Sequence, residues 1–427
     1  AGPSPDEAAG ATAAPIVAGK SSDDSQDAVI RLDRYVTGGI QSCSGTLIAE
    51  NLVLTARHCV TDTADGGFAC SIDGKGTAGG NLKADFPANE ILVFTGVKRI
   101  EGTSKAAARG SKIIHDDATN LCNHDLALIV LDRKIEGAKI AQVRLDKPVE
   151  KNATFTAVGW GVASKTPIPD TRQQRAGVKV VVVGPGKNNG GLEVPDGEFM
   201  VGESICEGDS GGPALDTDSG AVIGVVSRGG NGMQPDPNNP AASCFGAVNF
   251  YAATNGHKDL IQQAATEAEA ELWVEGGVDP RLAKAGVACD ADAACRSNFC
   301  LAGKCVDDCT QSSKCDTGFE CKASGDRKAC VAIPKDGGGG GGGLSLQPAS
   351  EARVAASRAA VAMRFMVSFL TFRRPGWELR AARPRTRGRR WAGWPSPCRA
   401  RRRRAPTGRP AWPCRRPSSS ARPRSST

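Results

Sequence analysis

Residues 206–213 read Cys-Glu-Gly-Asp-Ser-Gly-Gly-Pro. The octet sets a serine, Ser210, next to an aspartate and among glycines that let the backbone turn tightly. A Gly-Asp-Ser-Gly-Gly run alone reads equally well as a turn. Two upstream segments change that reading. Leu-Thr-Ala-Arg-His-Cys at 54–59 supplies His58, and His-Asp-Leu-Ala-Leu at 124–128 supplies Asp125. Histidine, aspartate and serine thus follow in chain order. An imidazole near neutral pKa can take a proton from a hydroxyl and later return it to a leaving group, provided a carboxylate holds its tautomer. His124, the neighbouring histidine, is expected on the opposite face of a strand from Asp125.

With Ile16-Val17-Ala18-Gly19, Cys43 to Ile48, Leu52 to Cys59, Asp125 to Leu128 and Gly159-Trp160-Gly161, the octet makes residues 16–265 resemble the chymotrypsin- and trypsin-like serine proteases of the bacterial secreted type. The resemblance implies an all-β fold of two six-stranded antiparallel Greek-key barrels with a C-terminal helix. It implies a catalytic triad of His58, Asp125 and Ser210, with the backbone N–H groups of Gly208 and Ser210 as the oxyanion hole. It also implies that the α-amine of Ile16, freed by cleavage, pairs with Asp209, a carboxylate costly to bury alone. Residues 1–15 then read as a propeptide and the chain as a zymogen. Ala14-Pro15 ahead of the cut departs from the Arg or Lys that a trypsin-like activator needs.

The same resemblance places the primary specificity pocket. Its floor position is Ser204, followed by the bulky Ile205, so the usual counter-charge for Lys or Arg is missing. Cleavage after small or medium apolar residues is expected. Ser227-Arg228-Gly229 matches the segment that pairs with the substrate backbone as an added strand, with Arg228 where the family often has tryptophan. Glu203 and Glu207 are expected to point elsewhere. Arg57 stands where a small residue is usual and requires a partner or solvent.

The periodicity agrees with a β-rich body. Short runs such as Thr46–Ile48, Leu52–Thr55, Ile91–Phe94, Leu126–Leu131, Thr154–Val158 and Val178–Val183 alternate with Gly/Asp/Asn turns. Pro213–Asp216 and Ala221–Ser227 flank an Asp-Ser-Gly turn. Residues 257–275 are expected to form a terminal helix.

Sixteen cysteines fit an oxidising compartment. The family pattern implies Cys43 with Cys59 and Cys206 with Cys244, leaving Cys70 and Cys122 to clip an insertion between His58 and Asp125. Past a linker at 266–286, residues 287–332 hold eight cysteines spaced as a four-cysteine unit repeated twice. The region resembles small cysteine-rich modules appended to secreted bacterial proteases. Disulfides are favoured over zinc, because no Cys-x-x-Cys and no nearby histidine occurs; the connectivity is not readable.

A Gly-rich linker at 333–343 leads to 344–427, with 21 Arg, no Lys and two Glu. That tail carries +19 and leaves −11 on residues 1–343, from a chain total of +8. The folded body is therefore not expected to bind nucleic acid. For the tail three readings stand: a disordered polyanion-binding arm, a surface-anchoring segment, or a frameshifted translation. No run approaches the ~20 apolar residues of a membrane span. No metal site or cofactor is expected. The expected partners are protein or peptide substrates and an activating protease, at a secreted or cell-surface location, a signal peptide being absent from this chain. The alternative is a non-catalytic binding or adhesion protein on the same fold.

Overall fold

In the computed structural model, the described residues are 16, 19–63, 67–161, 169–233, 239 and 241–333. The leader 1–15, most of the Gly-rich linker and the tail 344–427 lie outside them.

Six antiparallel strands close a first barrel: Val29–Val36, Gly39–Ala49, Leu52–Thr55, Leu92–Phe94, Ala108–Ile114 and Ala127–Leu131. Ile30, Leu32, Leu47, Val53, Val93 and Ile129 fill its interior. A second barrel closes through Gln173–Val183, Thr154–Gly159, Pro213–Asp216, Val222–Gly230, Val248–Ala253 and Glu198–Val201, with Lys20–Ser21 added at one edge. Period-two sequence dictates its walls. In Gln173–Val183, Val178, Val180 and Val182 are buried while Lys179 and Val181 face out. Its core centres on three rings, Tyr251 stacking on Phe199 at 5.1 Å and meeting Phe155 edge-on at 5.2 Å. A third apolar cluster joins the barrels, drawing Leu54, Leu126 and Leu128 from the first, Val222 and Val225 from the second, and Ile261 from a helix. This seam underlies the site described below.

That helix spans Lys258–Glu267, shorter than the expected 257–275. It stops because Glu269 turns to a positive φ of 51°. The chain then runs back along the first barrel, where Trp273 packs against the core and Asn51 holds the Ala268 carbonyl at 2.8 Å. The hairpin at the Asp-Ser-Gly turn forms as expected, with Gly220 at φ 71°.

All eight cysteines of the C-terminal module form disulfides, Cys289–Cys300 with Cys295–Cys305, then Cys309–Cys321 with Cys315–Cys330. First pairs with third and second with fourth in both units, and each unit ends in a short hairpin. The doubling in the cysteine spacing is therefore a doubling of structure. Arg327 joins the two units, donating to the Asn298 carbonyl at 2.9 Å and to Asp308 at 2.6 Å above the Phe299 ring. Arg296 ties the module to the barrels through Glu271.

Candidate active site

Strand Leu52–Thr55 ends in a single 3-10 turn, Arg57–Cys59, which presents His58 beside the barrel seam. The Cys43–Cys59 disulfide fastens that turn to the neighbouring strand. Asp125 arrives from the turn that leads into Ala127–Leu131 and is buried, 1% exposed. One of its oxygens accepts from the His58 backbone N–H at 3.0 Å. The other lies 2.9 Å from His58 Nδ1 and accepts from Ser227 Oγ at 2.7 Å. Three donors leave this carboxylate no freedom, and they fix the ring by its Nδ1 edge. Burial disfavours the charged imidazole, but the Asp125 charge and hydrogen bond outweigh it and hold the His58 pKa above its ordinary value. Burial likewise pushes the Asp125 carboxyl up, yet His58, Ser227 and the backbone N–H bring it below the usual range.

His124 closes that turn and Asp125 follows it, both ahead of the strand rather than on it. Their side chains diverge nonetheless: His124 Nδ1 contacts Asp116 Oδ2 at 2.5 Å, and the other oxygen of Asp116 takes Arg57 at 2.9 Å. The cation beside His58 thus has its partner, a carboxylate to which no sequence motif points.

Ser210 is half-buried and lines, together with His58, a cleft of about 330 Å³. Among the described residues no hydrogen bond joins His58 to Ser210 Oγ; such contacts are commonly loose before substrate arrives. The loop ahead of Ser210 requires Gly208, which has φ 93° and whose absent Cβ would meet Gly161 Cα at 2.9 Å. Ser44 pins this loop: its N–H donates to the Ser210 carbonyl at 2.8 Å and its hydroxyl to the Gly208 carbonyl at 3.0 Å.

Asp209 is wholly buried. It accepts from the N–H groups of Gly161 and Cys206 at 2.8 and 2.9 Å. Burial pushes its carboxyl up to about 7, and these two donors only partly offset the effect. Ile16 is also wholly buried.

Cys206–Cys244 and Cys70–Cys122 are both formed. Ser204 is wholly buried and Ile205 nearly so. Asn249 donates to the Gly202 carbonyl at 3.0 Å and lies 3.3 Å from Ser204 Oγ. A Cβ on Gly229 would strike Asn249 Oδ1 at 1.9 Å, so the amide spans the space between residues 204 and 229. Glu203 turns away to the Gly246 N–H at 2.6 Å, and Glu207 is exposed.

Arg228 is the departure with the largest consequence. It lies over Phe250 at 4.2 Å and under Phe68 at 4.8 Å, with Glu198 Oε2 2.6 Å from its guanidinium. The last is a charge contact rather than an aligned hydrogen bond. The two side chains are 9% and 1% exposed, so Glu198 is what makes a cation tolerable here. A buried arginine signals the need for such a carboxylate; spacing alone does not say which of several glutamates meets it. Glu198→Ala is expected to cost about 3–5 kcal/mol of stability by stranding the charge, measured by urea unfolding.

The sequence profile of the trypsin family matches residues 16–244. A snake venom serine protease, KN9 of Trimeresurus stejnegeri, is 30% identical over 207 residues, 46% of this chain and 70% of that one. Snake venom serine protease 2C of Craspedocephalus gramineus is 28% identical over 199 residues, 44% and 68% of the respective chains. A trypsin-like protease of Streptomyces glaucescens is 27% identical over 197 residues, 44% and 65%. Among solved structures, an inactivated protease paralogue of the scabies mite aligns at 15% identity and TM-score 0.41, over 58% of this chain and 99% of that one.

Proposed function

This chain belongs to the trypsin family of serine proteases, and from that premise we propose that it is a secreted serine endopeptidase made as a zymogen. The carrying observation is His58, held by buried Asp125 at 2.9 Å and facing the cleft that Ser210 also lines. In the proposed cycle Ser210 Oγ attacks the peptide carbonyl while His58 Nε2 takes its proton. The backbone N–H groups of Gly208 and Ser210 receive the oxyanion. His58 then protonates the leaving amine, and water releases the acyl group from Ser210 by the reverse sequence. Asp125 keeps Nδ1 protonated and stabilises the imidazolium.

Activation follows from Asp209. A buried carboxyl raised to about 7 with only backbone donors calls for a cation, and the α-amine released by cutting before Ile16 supplies one. An external protease makes that cut in this reading. Secretion is supported by seven disulfides among the described residues. No described helix is long and apolar enough to cross a membrane.

Ser204 and Asn249 make a neutral, short floor, which favours small or medium apolar residues on the acyl side of the cut. Peptide-library cleavage by the chain beginning at Ile16 tests both parts. Cutting after such residues is expected. Strict cutting after Lys or Arg contradicts the specificity, and no cutting by chain that carries a free Ile16 amine contradicts the activity.

A further inference from the structure

The insertion between His58 and Asp125 folds into a hairpin, Phe68–Cys70 with Gly76–Gly79. The Cys70–Cys122 disulfide fastens it to the segment just before Asp125, and the Leu121 N–H donates to the Gly80 carbonyl at 2.9 Å. From this first-barrel base the hairpin crosses to the second barrel. The Ile72 N–H donates to Glu193 Oε2 at 2.8 Å, and the Phe68 ring lies on the Arg228 guanidinium.

Arg228 sits between Ser227, whose hydroxyl holds Asp125, and Gly229. Ser227 therefore marks the catalytic end of this strand, and each further residue leads about 3.3 Å away from it. A substrate strand paired along 227–229 would rest the side chains preceding its cut residue against Arg228. That surface is already taken, because Arg228 is sandwiched between Phe68 and Phe250 and its side chain is 9% exposed.

We propose that hairpin 68–79 is a built-in wall over the substrate-pairing strand 227–229, with Phe68 standing where a substrate side chain would otherwise lie. The proposal rests on the protease reading above and narrows its substrate class. Productive peptides engage the enzyme through about two residues before the cut, so they are cut close to an amino terminus or bend away beyond that point. The disulfide fixes the wall, and the Ile72–Glu193 hydrogen bond latches its tip.

The test uses the chain beginning at Ile16 and peptides with one to four residues before a fixed cut. For wild type, kcat/KM should rise to two residues and then stay level within about twofold. Phe68→Ala should open the surface, so that the third and fourth residues add about tenfold. The paired substitution Cys70→Ser with Cys122→Ser should act in the same direction and serves if Phe68→Ala does not fold. A wild-type gain of about tenfold from the third and fourth residues overturns the wall. So does a length profile unchanged in both variants while fluorophosphonate still labels Ser210 at the wild-type rate. Absence of labelling and cleavage in wild type marks failure of the protease reading itself, and the wall falls with it.

Discussion

Ser210→Ala is expected to lower peptide turnover by a factor on the order of 10⁴ or more, with folding unchanged. Substrate binding is expected to stay near the wild-type level. Alanine offers no oxygen to carry the acyl group, and His58, however well held by Asp125 at 2.9 Å, then has no hydroxyl to deprotonate. Asp125→Asn should cost a similar factor, on the order of 10⁴, by releasing the ring to its other tautomer. The double variant should be little worse than either single one, because the groups act as a unit. Losses that multiply would show that the three residues work independently. Turnover of a peptide substrate, with the urea midpoint as the folding control, reads both.

Asp209→Asn should change sign with processing. In the uncut chain Asp209 is buried with a carboxyl raised from 3.8 to about 7. A pKa raised on folding means that the folded state holds the proton more tightly. Its stabilising contribution is complete below about pH 4 and is lost as pH rises through about 7. The loss totals on the order of 4 kcal/mol. A neutral amide at this position carries no such penalty, so the uncut variant should gain on wild type between about pH 4 and pH 8. In the proposed activation, cleavage before Ile16 frees an amine that pairs with Asp209. Removing the carboxylate then strands a buried cation, at about 3–5 kcal/mol, and disorders the Gly208 loop, at about 10² in kcat or more. Such pairing would hold the amine above its ordinary pKa of about 8, so activity should fall on the alkaline side as it deprotonates. Urea unfolding of cut and uncut chains at about pH 4.5 and pH 8 is decisive. Equal effects of Asp209→Asn in both forms would remove the activation scheme.

Much of the architecture was legible because it rests on local pattern. Alternating valines in 173–183 and the fully apolar Leu52–Val53–Leu54 announce barrel walls, and the turn at Gly220 follows from its neighbours. The helix end was not legible, since Glu269 adopts a positive φ that its residue type does not advertise. Of the candidate site, the residues read from contiguous motifs were found together: His58 on Asp125, Ser210 in the same cleft, and Gly208 at its strained turn. What escaped depends on partners distant in sequence. Asp116 for Arg57, Glu198 for Arg228, Asn249 beside Ser204 and Phe68 over Arg228 are each set by three-dimensional closure, for which spacing carries no signal. The oddity of Arg57 and Arg228 was visible; the way each charge is neutralised was not.

Everything proposed for the cleft depends on Ser210 being a nucleophile that His58 activates. Labelling by a fluorophosphonate of the chain beginning at Ile16, followed by peptide mapping, reads that property without any assumption about substrate. One phosphonyl group on Ser210 is expected, with labelling abolished in Ser210→Ala and strongly slowed in His58→Ala. Wild-type chain that stays unlabelled, or labelling that persists in Ser210→Ala, contradicts it.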